Sequence, residues 1–192
     1  CKLSVPSGLD YEEIPVVKVE CEWPARFNDE CYMNENVISI PVASGKIIPG
    51  KDGALKIAEG CNTSDFNNKT GALKLGFIVE EPGEYIVRVH TNRHWRRSFA
   101  KGMRVTLKVD DNKAFENVEL KQDFEYDNVR RNSYPESYSD LGTVTFDKCG
   151  LKSMTLSVDA VGTFSMLGFF GEDIQNESDN NIRFNKIELI KK

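Results

Sequence analysis

Short stretches in which apolar and polar residues alternate run through most of the chain. The clearest are 73–79, 85–89, 103–109 and 154–160, where every second residue is apolar. A period of two is typical of a β-strand with one face in the core and the other in solvent. Weaker stretches of the same kind lie at 17–23, 38–42, 55–57, 115–120, 144–146 and 182–189. Many short strands separated by turn residues predict an all-β fold, a β-sandwich of two antiparallel sheets.

The connections between these strands alternate between tight turns and long segments. The tight turns between Ala72 and Ile190 lie near Pro82-Gly83, Asp111-Asn112 and Lys148-Cys149-Gly150. The long connections span about 58–71, 92–102, 121–140 and 161–181. Consecutive antiparallel strands reverse direction, so alternate connections lie at the same end of a sheet. We therefore predict that the long connections gather at one end, where loops on a rigid scaffold often bind a ligand.

Length and charge narrow the class of protein. A chain of 192 residues suits one domain with an N-terminal extension. We predict a tether with an extra strand over 1–35 and the β-sandwich over 36–192. The net charge of −5 argues against general affinity for nucleic acid. No apolar run approaches the roughly 18 residues that a membrane span requires.

The first residues resemble the start of a processed bacterial lipoprotein. Cys1 is followed by Lys2, Leu3 and Ser4, so Cys1 would carry the lipids and the next residues would form a tether. We expect an exported protein, on the bacterial outer membrane or cell surface, that meets the membrane only through a lipid on Cys1. A periplasmic or secreted location is the alternative, and an arbitrary domain cut is the other interpretation of this start.

Export would permit disulfides. Besides Cys1, the cysteines are Cys21, Cys31, Cys61 and Cys149, which allow three full pairings. Cys61 falls in a long connection and Cys149 in a tight turn, at opposite predicted ends. A direct bond between those two is disfavoured because bridged Cα atoms lie within about 7 Å.

Several segments in order resemble the galactose-binding-like β-sandwich of family 6 and family 35 carbohydrate-binding modules. They are ISIPVASGKI, GALKLGFIVEEPGEYIVRVHT, GMRVTLKVDDN, DLGTVTFDKCGLKSMTLSVDA and IRFNKIELI, within residues 36–191. The resemblance implies a jelly-roll β-sandwich that binds sugars with loop aromatics and polar side chains at one end, or on a concave sheet face. Arg183 stands nearest the position where family 6 modules commonly have a sugar-binding Asn, so that role is not transferred.

The same resemblance implies a structural calcium ion held by acidic groups near the first and last strands. Glu20, Glu22 and Glu188 are the available carboxylates, and oxygen ligands suit calcium. The alternative is that these strand carboxylates simply face water.

The segment 92–102, NRHWRRSFAKG, is the first candidate for ligand binding. The indole of Trp95 would stack on the C–H face of a sugar ring. Arg93 and Arg96 would donate planar, paired hydrogen bonds to hydroxyls, uronate or sulfate. The alternative is that Trp95 packs onto the sandwich while the arginines face water. The basic cluster in an acidic chain extends the predicted partners, oligo- or polysaccharides, to anionic ones.

The segment 121–140 is the second candidate, since connections of this length are often functional. The alternative is a self-packed loop that covers the end of the sandwich. Its aromatic and polar candidates for ligand contact are Tyr126, Arg130, Asn132, Tyr134 and Tyr138.

These features favour non-catalytic carbohydrate binding through long loops at one end of the sandwich. No serine lies in a nucleophile-elbow motif, and of the two histidines, His90 and His94, we assign His90 to a strand. The chain is therefore predicted not to be an enzyme itself, although it would suit a module attached to one. The alternatives are a protein-interaction or adhesion domain using the same end, and a small jelly-roll glycan hydrolase.

Overall fold

A computed structural model describes residues 33–34, 36–57, 63–64, 66–92, 101–110, 113–121, 124–126, 136–163 and 183–192. Their strands are β1 (Met33–Asn34), β2 (Val37–Pro41), β3 (Lys46–Pro49), β4 (Lys56–Ile57), β5 (Thr63–Ser64), β6 (Gly71–Val79), β7 (Gly83–Asn92), β8 (Arg104–Val109), β9 (Lys113–Glu119), β10 (Phe124–Tyr126), β11 (Glu136–Phe146), β12 (Gly150–Ala160) and β13 (Arg183–Lys191). A single 3-10 turn covers Val42–Ser44. Across the described ranges, no helix is long and apolar enough to cross a membrane.

The strands form two main antiparallel sheets. The six-stranded sheet has the order β1-β2-β13-β7-β11-β10, and the five-stranded sheet has the order β3-β6-β12-β8-β9. Strands β4 and β5 form a separate short ribbon. The prediction of an all-β, jelly-roll β-sandwich is therefore confirmed.

The core lies between the two sheets and is built from the alternating apolar positions. Phe77 of β6 and Tyr85 of β7 each meet the ring of Phe146 edge-on, with ring centroids 5.7 and 5.6 Å apart. Phe66 and Phe184 make a similar contact at 5.5 Å. All five rings are at most 4% exposed. Burial of each large apolar side chain contributes roughly 1.5–3 kcal/mol, which is why period two dominates the sequence.

The alternation of short and long connections is confirmed for the described strand ends. The segments 80–82 and 147–149 each join one sheet to the other within three residues. The sheets therefore share this end. At the opposite end, Asn92 pairs in register with both Glu136 and Arg183, where β7 ends and β11 and β13 begin. We call this the loop-bearing end, since the long connections before β8, β11 and β13 leave from it.

The prediction of a loop over 121–140 was wrong in two places. Residues 124–126 form β10, which pairs with β11, and β11 begins at Glu136, well before the predicted strand at 144–146. Ser137 and Ser139 take the buried positions of this added stretch. Because small polar residues and not apolar ones face inward here, the sequence shows no alternation of apolar and polar residues, and the pattern does not predict the start of β11.

Two pairs of strands shift register. The pairing of β13 with β7 shifts between Phe184 and Ile187, which forms a bulge around Asn185. The pairing of β8 with β9 shifts between Val105 and Leu107.

Several sequence-based predictions lie outside the described residues. These are the lipid on Cys1, the tether and extra strand within 1–32, and the pairing of Cys21, Cys31 and Cys61. Within the described part, Cys149 is an exposed free thiol with its sulfur 3.0 Å from the carbonyl oxygen of Glu80.

We predict that Gly71→Ala destabilises the fold by more than Gly53→Ala. Both glycines have positive φ, +107° and +115°, which costs a non-glycine residue about 1–3 kcal/mol. Only at Gly71 would the added Cβ also lie 2.0 Å from a backbone atom, the carbonyl oxygen of Ile48. Urea unfolding of both variants measures the free energies. Equal losses would mean that the clash is relieved by an inexpensive backbone shift.

Candidate functional site

The outward face of the six-stranded sheet carries a group of charged and polar side chains close to the loop-bearing end. Tyr85, Val87 and Val89 of β7 point into the core, so the residues between and after them point outward. The same alternation operates in β11 and β13. We call the resulting group the outer-face cluster: Arg88, His90, Glu136, Tyr138, Asp140, Asn185, Lys186 and Glu188.

His90 lies at the centre of this cluster, between two carboxylates on the neighbouring strands. Its Nδ1 is 2.5 Å from Oε1 of Glu136 on β11, and its Nε2 is 2.9 Å from Oε2 of Glu188 on β13. The His90 side chain is only 4% exposed. An ionised carboxylate only accepts hydrogen bonds, so both ring nitrogens must donate and the ring is an imidazolium.

Further hydrogen bonds complete the coordination of both carboxylates. Lys186 Nζ donates to Oε1 of Glu188 at 2.6 Å, and the Asn185 side-chain amide donates to Oε2 of Glu136 at 3.1 Å. Each of the four carboxylate oxygens therefore accepts a hydrogen bond. A buried ion pair that is fully hydrogen-bonded in this way is strongly coupled, because removal of one partner leaves the other charge uncompensated.

The pKa values follow from this geometry. Burial is the largest influence on His90 and disfavours its charge, but hydrogen bonds to Glu136 and Glu188 together outweigh it and raise the pKa above 6.5. The hydrogen bond from His90 lowers the pKa of Glu136 against the opposing effect of burial. The hydrogen bond from His90, then that from Lys186, lowers the pKa of Glu188 to about 2, again against burial.

A second contact group adjoins His90 on the same face. Arg88 donates from Nε and Nη2 to the two oxygens of Asp140, at 2.7 and 3.0 Å. Its guanidinium carbon lies 3.9 Å from the centroid of the Tyr138 ring, and that ring is 5.9 Å from the His90 ring. Arg88 thus covers one face of Tyr138, and a ligand that stacks on that face must displace the guanidinium.

The two carboxylates beside His90 do not have the properties of a hydrolytic pair. A glycosidase needs one carboxylic acid with a raised pKa to protonate the leaving group. Glu136 and Glu188 both have lowered pKa values and both are ionised at neutral pH. The arrangement is suited to holding strands and positioning polar groups.

Glu188 also does not fit the calcium ligand that the family resemblance implies. Both of its oxygens already accept hydrogen bonds from cations, His90 and Lys186, and a metal ion would have to displace them. No group of three or more His, Cys, Asp or Glu side chains in the described ranges is arranged to hold a metal ion. Glu20 and Glu22 lie outside those ranges.

The structure describes only two of the predicted ligand-binding residues. Tyr138 is a half-buried member of the outer-face cluster, and Tyr126 ends β10 directly opposite Glu136. The remaining predicted contacts lie in the connections outside the described residues and stay predictions: Arg93, Trp95, Arg96, Arg130, Asn132 and Tyr134.

Sequence reasoning placed His90 in a strand correctly but missed its partners. Glu188 was considered for calcium, and Glu136 was one of many acidic residues in a presumed loop. A signal was available: Arg88 and His90 fill successive outward positions of β7, as Lys186 and Glu188 do in β13. Charges of opposite sign on the same face of strands that pair are expected to interact.

A shallow cleft of about 230 Å³ lies at the opposite, tight-turn end of the molecule. Its volume is below the roughly 300–1,000 Å³ of typical small-molecule sites. It is separate from the outer-face cluster and is lined by Val109, Asp110, Lys113, Val144, Thr145, Phe146, Asp147, Lys148 and Lys152.

Comparison with known proteins finds only remote similarity. No protein-family model matches the chain. No curated protein sequence matches it. Solved structures with a similar arrangement include an α-L-fucosidase from Vibrio sp. strain EJY3, with a TM-score of 0.48 and 12% identity over 71% of this chain and 23% of that one.

Two further similar structures also bear names of carbohydrate-active enzymes. One is a GH26-CBM35 β-(1,4)-mannanase from Podospora anserina, with a TM-score of 0.46 and 7% identity over 83% of this chain and 28% of that one. The other is a Paenibacillus xanthan lyase, with a TM-score of 0.42 and 12% identity over 81% and 12%. The chain spans less than a third of each of these proteins. At TM-scores below 0.5 the likeness is too remote to indicate an activity.

We predict that the free energy of unfolding falls in acid because Glu188 must be protonated. Its pKa is about 2 in the folded state against 4.5 unperturbed. The stabilisation is therefore complete above about pH 4.5 and is lost as pH falls towards 2, with an upper limit of about 3 kcal/mol. Urea unfolding between pH 2 and 6 measures it. Glu188→Gln should reduce this fall in the free energy of unfolding at low pH. Glu116→Gln, at an exposed position of β9, should leave the fall unchanged. If Glu188→Gln showed the same fall in acid as the wild type, the loss of stability could not be attributed to Glu188.

We predict that Arg88→Lys lowers the free energy of unfolding by about 1 kcal/mol, because lysine loses the paired hydrogen bonds to Asp140 and the stacked contact with Tyr138. Arg104→Lys is the control: Arg104 is more exposed, and it donates one hydrogen bond to Glu119 at 3.2 Å and one to the Asn117 carbonyl oxygen at 2.9 Å, so it lacks the paired contact with a single carboxylate. Its replacement should cost less than about 0.5 kcal/mol. Thermal and urea unfolding measure both, and indistinguishable losses would show that the stacked geometry adds nothing.

Proposed function

We propose that the protein binds carbohydrate without catalysis, through the loop-bearing end of the sandwich. The observation that carries this proposal is the strand pairing at this end: Asn92, the last residue of β7, lies opposite the first residues of β11 and β13, Glu136 and Arg183. The strand ends from which the connections with Arg93, Trp95, Arg96, Arg130 and Tyr134 leave therefore lie at one rigid edge. Ligand-contact residues are commonly carried on loops that a rigid scaffold positions in this way.

The outer-face cluster supplies a polar surface next to the loop-bearing end. Its three cationic side chains, Arg88, His90 and Lys186, are balanced by three carboxylates, Glu136, Asp140 and Glu188. The net charge of this polar surface is therefore zero, and its side chains are fixed by hydrogen bonds to one another. Such a fixed surface is suited to positioning a hydroxylated ligand. A preference for uronate or sulfate would consequently come from the loop arginines Arg93, Arg96 and Arg130.

In this proposal Trp95 is the stacking residue, and Arg93, Arg96, Arg130 and Asn132 are hydrogen-bonding residues. Tyr134 and Tyr126 extend the aromatic surface. Tyr138 contacts the ligand with its ring edge, because Arg88 lies over one face. The lowered pKa values of Glu136 and Glu188 support a role in binding over one in hydrolysis.

We predict that Trp95→Ala abolishes retardation of the protein in native gels cast with the polysaccharide that the wild type binds. The panel contains polygalacturonate, a sulfated galactan and neutral dextran. Loss of one stacked aromatic anchor at a hot spot costs at least about 2 kcal/mol, which corresponds to roughly 30-fold in affinity. The control is Leu151→Ala, since Leu151 is 54% exposed and lies next to the tight turn at 147–149.

Arg96→Gln distinguishes anionic from neutral ligands. It should weaken binding to polygalacturonate and the sulfated galactan more than binding to dextran, and reduce the salt dependence of binding to the two anionic polysaccharides. Absence of binding to all three polysaccharides and to a wider glycan array would overturn the proposal. Capture of a defined protein partner that Trp95→Ala abolishes would then favour the protein-interaction alternative.

A further inference from the structure

The side chain of His90 links three strands, β7, β11 and β13. It lies on β7, and its two ring nitrogens reach Glu136, the first residue of β11, and Glu188 on β13. Glu136 also receives the Asn185 amide from β13. The first residue of β11 is thus tied directly to β7 by the imidazolium, and to β13 both through the imidazolium and by the Asn185 amide. Glu136 lies immediately beside the strand ends from which the long connections leave.

We propose that His90 is a positioning residue for the ligand-binding end: as an imidazolium it holds the start of β11 against β7 and β13, and loss of its proton releases that start and weakens glycan binding. The effect on glycan binding rests on the function proposed above. The clasp itself, defined as His90 with Glu136 and Glu188, rests on the contacts alone.

The charge balance explains why one proton has this effect. The groups that face His90 are Glu136 and the Tyr138 ring from β11, and Glu188 and Lys186 from β13, while Arg88 on its own strand is paired with Asp140. With His90 protonated, two anions meet two cations. Without that proton, one ring nitrogen presents a lone pair to a carboxylate, and a largely buried site carries an excess negative charge.

The direction of the pH effect follows from linkage. Because the folded-state pKa of His90 is raised above 6.5, its contribution to stability is complete below about pH 6.5 and is lost as pH rises through the folded-state pKa. The clasp is therefore closed below about pH 6.5 and opens as pH rises through the folded-state pKa of His90. A binding-competent arrangement of the start of β11 that is populated only part of the time lowers the apparent affinity by that fraction.

We predict that the His90 ring titrates with a midpoint above 6.5 in ¹⁵N–¹H spectra of the full chain, and that the backbone amides of Asn92, Glu136 and Arg183 follow the same midpoint. His90→Gln should remove both the ring signal and the titration of these amides. His94→Gln is the matched control, because the chain has two histidines, and it should leave the His90 titration in place. Glu188→Gln should lower the midpoint, which provides a second variant should His90→Gln fail to fold.

Polygalacturonate affinity is then measured from pH 5.5 to 9, where its carboxylates stay ionised. Wild-type affinity should fall by up to about tenfold through the His90 midpoint, equivalent to about 1.4 kcal/mol, and His90→Gln should bind weakly at every pH without a step. A His90 midpoint at or below 6.5, or amides that do not follow it, would overturn the clasp. A titrating clasp with pH-independent affinity would overturn the positioning role. A titrating clasp in a protein that binds no glycan on the wider array would instead overturn the proposed function.

Discussion

The arrangement of this molecule depends on two three-residue connections that tie one sheet to the other. The segments 80–82 and 147–149 are too short to reach any other part of the opposite sheet, so they force the joined strand ends to coincide. Every strand that starts at this shared end must finish at the other. The long connections before β8, β11 and β13 therefore leave from strand ends at one end of the molecule, before any side chain is considered.

The outward face of the six-stranded sheet shows how a solvent-facing surface becomes ordered. Strand alternation would normally leave charged outward residues in water. Here, bidentate pairing of Arg88 with Asp140 and the double contact of His90 replace that water with mutual hydrogen bonds. Such a cluster costs desolvation and is stable only while every member remains satisfied. That sensitivity is what makes a single proton on His90 significant.

The sequence predicted strands correctly where burial requires an apolar residue at every second position, and missed strands where the buried positions hold small polar residues. The strands around 73–79 and 154–160 follow from large apolar residues at every second position. The first residues of β11 do not, because Ser137 and Ser139 fill the buried positions and carry no hydrophobic signal. The loop assignment therefore covered Glu136, Tyr138 and Asp140, three of the eight members of the outer-face cluster. The bulge at Asn185, in contrast, leaves a signal in the sequence, because the large apolar residues on its two sides occupy alternating positions of opposite phase.

The sequence by itself determined the class of fold, the order of short and long connections, and therefore which segments share an end, because these follow from local periodicity and from the reversal of antiparallel strands. Only the tertiary structure decided which charges meet. Glu136 and Glu188 lie 46 and 98 residues from His90 along the chain, and the pairing register, including a one-sided bulge in β13, sets their separation in space. A shift of one residue in that register would turn either carboxylate to the opposite face, so no local pattern could specify the contact.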